Sequence, residues 1–448
     1  MKKLAILGGE PLFKGELPKD VQEMMKWPII TEEDENAALD VIRNNNFSRT
    51  DITEKFEKEF AEWLGVKHAV AYCNGTMSLA AAMFAIGLSK GDEIICPTKT
   101  YWASILPASS FGAVPVFCDI NEMLSMDPDD IERVISKKTK AIVVVHYAGY
   151  PCDMDRIMAI AKKHGLKVIE DVSHAQGGLY KGKRLGTFGD IAAMSLMSTK
   201  SFAAGELGVV VTNNTRLYER ALAYGHYDRN NDKYIKESEE LFPYYHIALG
   251  AVKGRANQLC CAMARVQLKY YDERCAQIRK AMNYFWDLLE DLDAIKAIRV
   301  DESTGSNMAG FYAAMGIYYP EKLGGLSVKA FAKAVKAELG SIGYYISTGG
   351  NLCLHLHNYF KTFDFNGCGV PSRIENADRD VRLLDDGIKN GQNINCFGVP
   401  WIKKYNKEWI EKIAMCFRRV IENYELLLPL DNADEKQGGR WHGFTNQE

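Results

Sequence analysis

The chain has 448 residues, with 55 basic and 58 acidic side chains and a formal net charge of −3. This length allows two domains and a large core, and the balanced charge, without a basic tract among aromatic residues, argues against nucleic-acid binding. No run of about 18 uncharged apolar residues predicts a membrane span. The opening MKKLAILGGE is too poor in apolar residues for a signal peptide, and the eleven cysteines are scattered as in a reducing cytoplasm, so we expect a cytoplasmic location.

The first third of the chain predicts helices, a strand and a tight turn. Residues 1–30 are too irregular for a long element, whereas a helix should begin after Thr31 and another should span 53–65 and end at Gly65. His68 to Tyr72 is a strand pattern, and an alanine-rich helix follows the turn that holds Gly75 and Thr76. A strand, a glycine turn and a helix N-terminus form a ready anion site.

Short apolar runs alternate with helical stretches from residue 92 to residue 224. Such runs, buried on both faces, predict an α/β fold in three layers, with a mainly parallel sheet covered by helices on each side. Ligands collect at the carboxyl ends of strands in such sheets. Thr98, His146, Asp171 and Ser195 stand at or near predicted strand ends; we interpret His146 as a structural histidine.

The stretch 167–208 carries the strongest functional signal. Its first strand ends in Glu170 and Asp171, and Lys200 follows the next predicted strand. A carboxylate at one strand end and an amine after the next suit pyridoxal phosphate (PLP). The aldehyde of PLP forms a Schiff base with a lysine, and its pyridine nitrogen must stay protonated beside an anion.

The ordered motifs Glu-Asp-x-x-His-Ala-x-Gly, Gly-x-x-Gly-Asp, Ser-x-x-x-x-Lys and Gly-Glu-x-Gly of this stretch resemble those of the DegT/StrS family. These proteins are fold-type-I PLP-dependent aminotransferases of amino-sugar and aminocyclitol biosynthesis. The resemblance implies that Lys200 is the Schiff-base lysine, that Asp171 pairs with the pyridinium and that Ser195 binds the phosphate. It also implies the remaining cofactor contacts, which match Gly75, Thr76, His174 and Tyr101, the last as the ring-stacking aromatic with Trp102 as alternative.

The resemblance further implies a homodimer with shared active sites. Family members have Asn-x-Arg before the long helix near residue 257, where it reaches the cofactor phosphate of the neighbouring subunit. Here the segment reads Lys253-Gly254-Arg255, and the lysine can still bind phosphate as a point charge. The polar and aromatic stretch 225–250 is predicted to be a binding loop or lid.

We expect a large PLP-binding domain over 1–268, a smaller α+β domain over 269–430 and a poorly ordered polar tail over 431–448. Cys353, His355 and His357 alternate, so on a strand they would share one face. A fourth ligand at metal-site spacing is missing, so no metal site is predicted. The segment LHLHNYF resembles a family stretch that contacts the substrate, which implies His355 as a substrate contact.

Together these features predict transfer of an amino group from glutamate or glutamine to a keto-sugar or an inosose-like ketocyclitol, the latter because LAILGGEPLF resembles the opening of that branch of the family. A nucleotide-linked keto-sugar is the alternative acceptor, although the loop 226–247 offers three basic residues against five acidic ones for a diphosphate. A PLP-dependent sugar dehydratase would have histidine in place of Lys200. A non-catalytic sensor with the same fold remains a further alternative.

Overall fold

The computed structural model describes residues 3–431, so all of the predicted tail except Asp431 lies outside the described residues. The strands are β1 (His68–Tyr72), β2 (Glu93–Pro97), β3 (Val114–Cys118), β4 (Thr139–Val145), β5 (Lys167–Asp171), β6 (Leu179–Tyr180), β7 (Lys183–Arg184), β8 (Ile191–Ser195), β9 (Gly208–Thr212), β10 (Ile295–Ala297), β11 (Met315–Tyr318) and β12 (Cys396–Gly398). The helices are α1 (Lys19–Met25), α2 (Glu32–Arg43), α3 (Asp51–Leu64), α4 (Gly75–Ala85), α5 (Pro128–Val134), α6 (Met154–His164), α7 (Thr215–Ala223), α8 (Gln258–Asp287), α9 (Val328–Leu339), α10 (Asn358–Lys361), α11 (Asn390–Asn393) and α12 (Lys407–Glu422).

A seven-stranded sheet in the order β1-β9-β8-β5-β4-β2-β3 forms the centre of the molecule. The pairs from β8 through β3 are parallel, and only β9 runs against its two neighbours. Successive residues of β4 enter different apolar clusters: Val143 lies in the cluster that includes Leu79 of α4, and Val144 lies in the cluster that includes Ile157 of α6. Both faces of the sheet are therefore covered by helices, which confirms the predicted three-layer, mainly parallel α/β fold.

The predicted helix ends agree with their capping residues. Helix α2 begins after Thr31, whose backbone N–H donates to the Asp34 carboxylate at 2.9 Å in a capping box. Helix α3 ends at Gly65, which adopts the left-handed conformation with φ of 81°. Within residues 3–30 the longest element is the seven-residue helix α1, which agrees with the prediction that this segment is too irregular for a long element.

The carboxyl-terminal part contains a small antiparallel sheet, β10-β11-β12, against which α9 and α12 pack. Helix α8 is 30 residues long and connects the central sheet to this part. The amino-terminal segment also lies here, because the backbone N–H of Ala5 and Leu12 donate to the Glu338 side chain and carbonyl at 2.6 Å and 2.7 Å. The division into 1–268 and 269–430 stays a prediction. Across residues 3–431, no helix is long and apolar enough to cross a membrane.

Candidate active site

Asp171 stands at the carboxyl end of β5, in the middle of the central sheet. Its side chain is only 4% exposed and accepts hydrogen bonds from the Ser104 hydroxyl at 2.7 Å and the Ser173 backbone N–H at 3.0 Å. These two neutral donors fix the carboxylate without neutralising it. Ser104 was not predicted as a site residue, because a serine among apolar residues gives no sequence signal of its own.

The adjacent Glu170 has a different environment on the opposite side of β5. It is fully buried and accepts backbone hydrogen bonds from Gly186, Phe188 and Gly189 at 2.7–2.8 Å. Burial opposes ionisation of Glu170, but hydrogen bonds from His146 and the backbone amides outweigh it and lower the pKa of its carboxyl. His146 also accepts a hydrogen bond from the Cys152 backbone N–H, so both ring nitrogens are engaged, as expected for a structural histidine.

Lys200 follows β8, the parallel neighbour of β5, and is 8% exposed. Its backbone N–H donates to the Met197 carbonyl at 2.8 Å, and its carbonyl accepts from the Trp27 indole N–H at 2.8 Å. Its Nζ lies 4.3 Å from the centroid of the Tyr312 ring. Trp27 and Tyr312 were not predicted as site residues, since both reach Lys200 from more than a hundred residues away in the sequence.

The turn between β1 and α4 packs directly against Ser195 at the end of β8. A Cβ atom on Gly75 would lie 2.6 Å from the Ser195 Cβ, so no larger residue fits without movement. The Asn74 side chain caps α4 by accepting from the Met77 N–H at 2.9 Å. The N-terminus of α4 therefore lies against the end of β8 at Ser195, where a helix N-terminus and a hydroxyl could hold a phosphate. The phosphate contacts of Gly75, Thr76 and Ser195 stay predictions.

An aromatic cluster joins the other predicted cofactor contacts. The His174 ring lies between Tyr147 and Tyr312, at centroid distances of 5.4 Å and 4.7 Å, and its Nδ1 accepts from the Ala148 N–H. Tyr101 is half-buried, 4.6 Å from the alternative residue Trp102, and burial with a contribution from Tyr312 raises the pKa of its phenol. Tyr312 thus connects His174 to Lys200.

His355 lies in a turn rather than a strand, because Leu354–Leu356 forms a single 3₁₀ turn. The alternation of Cys353, His355 and His357 therefore does not place them on one face, and residues 3–431 contain no cluster of three or more metal-ligating side chains. His355 is buried, and its ring nitrogens contact the Thr98 hydroxyl and the Gln392 amide. Burial, reinforced by the charges of Arg373 and Lys361, lowers its pKa to about 4, so the ring is neutral near pH 7. Its contact with substrate stays a prediction.

Lys253 lies beside the β1–α4 turn of its own chain, since the Cys73 N–H donates to the Gly254 carbonyl at 2.8 Å. Lys253 lines a cavity of about 430 Å³ together with Arg49 and Arg255. Its Nζ is 5.3 Å from the Tyr227 ring centroid, and Arg255 forms an ion pair with Asp228 at 2.8 Å. A contact between Lys253 and the cofactor of a neighbouring subunit stays a prediction.

The polar groups at the carboxyl ends of the central strands, called here the carboxyl edge of the sheet, fit PLP. A carboxylate (Asp171), an amine (Lys200), and a helix N-terminus beside Ser195 correspond to the pyridinium, the aldehyde and the phosphate of that cofactor. The carboxylate and the amine follow adjacent parallel strands, and the glycine cradle at Gly75 lies against the second of them.

The chain is similar to known aminotransferases over most of its length. The model of the DegT/DnrJ/EryC1/StrS aminotransferase family matches residues 28–362. GDP-perosamine synthase of Escherichia coli O157:H7 is 40% identical over 53% of this chain and 63% of its own. A Micromonospora echinospora protein named "Putative L-glutamine:3-amino-2,3-dideoxy-scyllo-inosose aminotransferase" is 32% identical over 60% of this chain and 62% of its own.

The chain thus spans a little over 60% of the length of these two curated relatives. The solved structure of the aminotransferase from Psychrobacter cryohalolentis matches 89% of this chain and 99% of its own, with a TM-score of 0.72 and 26% identity. PLP is the cofactor of this group of proteins, as the motifs predicted. The chain belongs to the DegT/DnrJ/EryC1/StrS family of aminotransferases.

Proposed function

We propose that the protein is a PLP-dependent aminotransferase that moves an amino group from glutamate or glutamine to a ketone carbon of a sugar or cyclitol. The observation that carries this proposal is the placement of Lys200 and Asp171 after adjacent parallel strands, with the Gly75–Ser195 cradle beside them. When bound, PLP supplies the electron sink that stabilises negative charge at the donor's Cα.

Lys200 has two roles in this proposal. Its amine would hold the cofactor aldehyde, and once an amino donor takes its place there, the same amine would move the proton at the donor's Cα. Asp171 would bind the pyridine nitrogen of the cofactor and keep that nitrogen protonated. The Ser104 hydroxyl and the Ser173 N–H orient the carboxylate for this contact.

The experiment that tests this function is chemical labelling of Lys200. Borohydride reduction of the PLP-loaded protein, followed by peptide mapping, should place the pyridoxyl group on Lys200. Glutamate should convert the wild-type protein from the visible-absorbing aldehyde form of the cofactor to the aminated form, which absorbs in the near ultraviolet, whereas Lys200→Ala should not complete this conversion. A label on another lysine, or a protein that binds PLP without responding to any amino donor, contradicts the proposal.

For the acceptor we infer an unphosphorylated ring ketone of the inosose type. In the loop 226–247, Arg229 is buried and its two terminal nitrogens donate to the two oxygens of Glu57, both at 2.8 Å, so its charge is already paired. The loop is therefore left with Lys233 and Lys236 as its basic groups, which is a poor cradle for a diphosphate.

A second acceptor class, a nucleotide-linked keto-sugar, is favoured by a different observation. A cavity of about 480 Å³ beside His355 is lined by Lys361, Arg382 and Lys389, although Asp385 and Asp386 also line it. Values of kcat/KM for scyllo-inosose and for GDP- and dTDP-keto-sugars, with glutamate or glutamine as donor, decide between the two classes. A clear preference for a nucleotide-linked ketone overturns the inosose assignment but leaves the aminotransferase assignment intact.

We also propose that the active unit is a homodimer in the cytoplasm. The exposed apolar residues Phe47, Phe242, Tyr244 and Ile247 support the dimer, and the eleven free cysteines support the reducing location. Light scattering should show two chains. Mixing inactive Lys200→Ala and Lys253→Glu subunits should restore about a quarter of the wild-type activity if each site uses both chains. No recovery after confirmed subunit exchange contradicts the shared site.

A further inference from the structure

A second lysine lies buried at the carboxyl edge of the central sheet. Lys99 follows β2 by two residues and is 4% exposed. Its Nζ donates to the Gly349 carbonyl at 2.8 Å, and within residues 3–431 it makes no ion pair with a carboxylate. An ammonium has three N–H donors, and buried charges are normally paired, so two donors and one positive charge are left without a partner.

The surroundings of Lys99 join it to the aromatic cluster of the active site. A Cβ atom on Gly350 would lie 3.1 Å from the Tyr147 hydroxyl oxygen and 3.6 Å from the Lys99 Cε. The Lys99 side chain and Tyr147 therefore meet at this glycine. Tyr147 in turn packs beside His174, and Tyr312 connects that ring to Lys200.

Lys99 also lies where the central sheet meets the carboxyl-terminal part of the chain. Strand β2 is separated from β5 by β4 alone, so Lys99 and Asp171 follow strands at the same edge of the sheet. Gly349 and Gly350 belong to the carboxyl-terminal part, and the Tyr147 hydroxyl donates to the Asn351 side chain at 3.1 Å. A ligand at this edge can therefore contact Lys99 together with residues of the carboxyl-terminal part.

We propose that Lys99 binds a carboxylate of the amino donor. This inference rests on the proposed function, in which every donor is an amino acid and carries at least one carboxylate. Two free N–H donors on one ammonium match the two oxygens of one carboxylate, whereas a diphosphate calls for several basic side chains. The charge that burial leaves uncompensated is then neutralised by the substrate itself.

The test measures binding of glutarate, an unreactive dicarboxylate, to the PLP-loaded enzyme by calorimetry. Lys99→Gln removes the charge while its amide can still donate to Gly349, and it should raise the Kd for glutarate about 10- to 100-fold, because hydrogen bonds to charged groups contribute that much. Lys99→Arg should recover part of the affinity. At saturating glutamate, the rate of the absorbance change should stay within about threefold of wild type, so that the defect lies in donor KM.

Lys140 provides the matched control, since it is an exposed lysine at the amino-terminal end of β4, away from the carboxyl ends of the strands. Lys140→Gln should leave the Kd for glutarate unchanged. If Lys99→Gln does not fold, Lys99→Met gives the same comparison. An unchanged glutarate Kd in a folded Lys99 variant overturns the proposal. A folded Lys99 variant that binds glutarate normally but has lost affinity for UDP or inorganic phosphate also overturns it.

Failure of the Lys99 inference can be distinguished from failure of the proposed aminotransferase function. Failure of the aminotransferase assignment appears in the wild-type protein, as the absence of an absorbance change with any amino donor. Failure of the Lys99 inference appears only in the variants, as unaltered glutarate binding in an enzyme whose wild-type form responds to glutamate.

Discussion

The carboxyl edge of the central sheet and the segment 343–398 that packs on it hold their buried charges in different ways. At the edge, Asp171 accepts hydrogen bonds from a hydroxyl and an amide, which orient it but leave its charge in place. In the segment, Arg373 is fully buried, donates to both oxygens of Asp385 at 2.6 Å and 2.8 Å, and lies over the Phe117 ring. The partners of a buried charge thus indicate whether its removal should affect the chemistry or the fold.

Asp171→Asn should have the largest effect of these substitutions, and the effect should fall on activity rather than on folding. The amide keeps the shape of the side chain, and the Ser104 hydroxyl can rotate to suit it. The variant should therefore unfold at nearly the wild-type temperature. It cannot hold a proton on the pyridine nitrogen, so kcat should fall about 10²- to 10⁴-fold. Steady-state kinetics with glutamate and calorimetric Tm measure the two effects, and near-normal kcat would show that Asp171 has another role.

Glu170→Gln is the matched control on the same strand. Glu170 points to the other side of β5, where three backbone amides and His146 bind it. Removing its charge should lower the free energy of unfolding by about 2–4 kcal/mol and leave kcat of the folded enzyme within about threefold. If both variants lost activity to the same extent, the assignment of distinct roles to the two carboxylates would be wrong.

Arg373→Met tests the structural role of the buried charge in the segment 343–398. The guanidinium also donates to the Pro115 carbonyl at 3.0 Å, so its loss leaves Asp385 and a strand carbonyl without their partner. We expect the free energy of unfolding to fall by about 3–5 kcal/mol, as when one partner of a buried ion pair is removed. Urea unfolding measures this loss. Arg382→Met is the control, because the Arg382–Asp380 pair is about one-third exposed and should contribute less than about 1 kcal/mol.

The contrast between the regions also explains what the sequence could predict. Asp171, Ser195 and the Gly75 turn follow strands whose apolar runs are unambiguous, so their meeting at one edge follows from the parallel order. Tyr312 and Trp27 could not be predicted, because their approach to Lys200 depends on packing between distant parts of the chain. The strand pattern at His355 was misleading, since alternation over five residues does not distinguish a strand from a 3₁₀ turn.

The smallest expected effect concerns Lys403, which lies where the two regions meet. Its Nζ donates to the Tyr345 hydroxyl at 2.9 Å and is 4.8 Å from the Trp401 ring centroid. Trp401 packs in turn against Trp27 and Tyr312, which contact Lys200. Burial lowers the pKa of Lys403 to about 7, whereas the unfolded chain titrates this group near about pH 10.4.

The pKa of Lys403 is lower in the folded state, so between these two values the unfolded state binds more protons and the free energy of unfolding rises with pH. Between about pH 7.5 and about pH 9.5, wild type should gain about 2 kcal/mol relative to Lys403→Met, because the variant lacks this titration. Urea unfolding at both pH values measures the gain. Lys404→Met is the control, since Lys404 is exposed and next in sequence, and its difference from wild type should not change with pH. Equal pH dependence in wild type and Lys403→Met would mean that Lys403 keeps its proton in the folded protein, with the Trp401 and Tyr345 rings stabilising the ammonium enough to offset its burial.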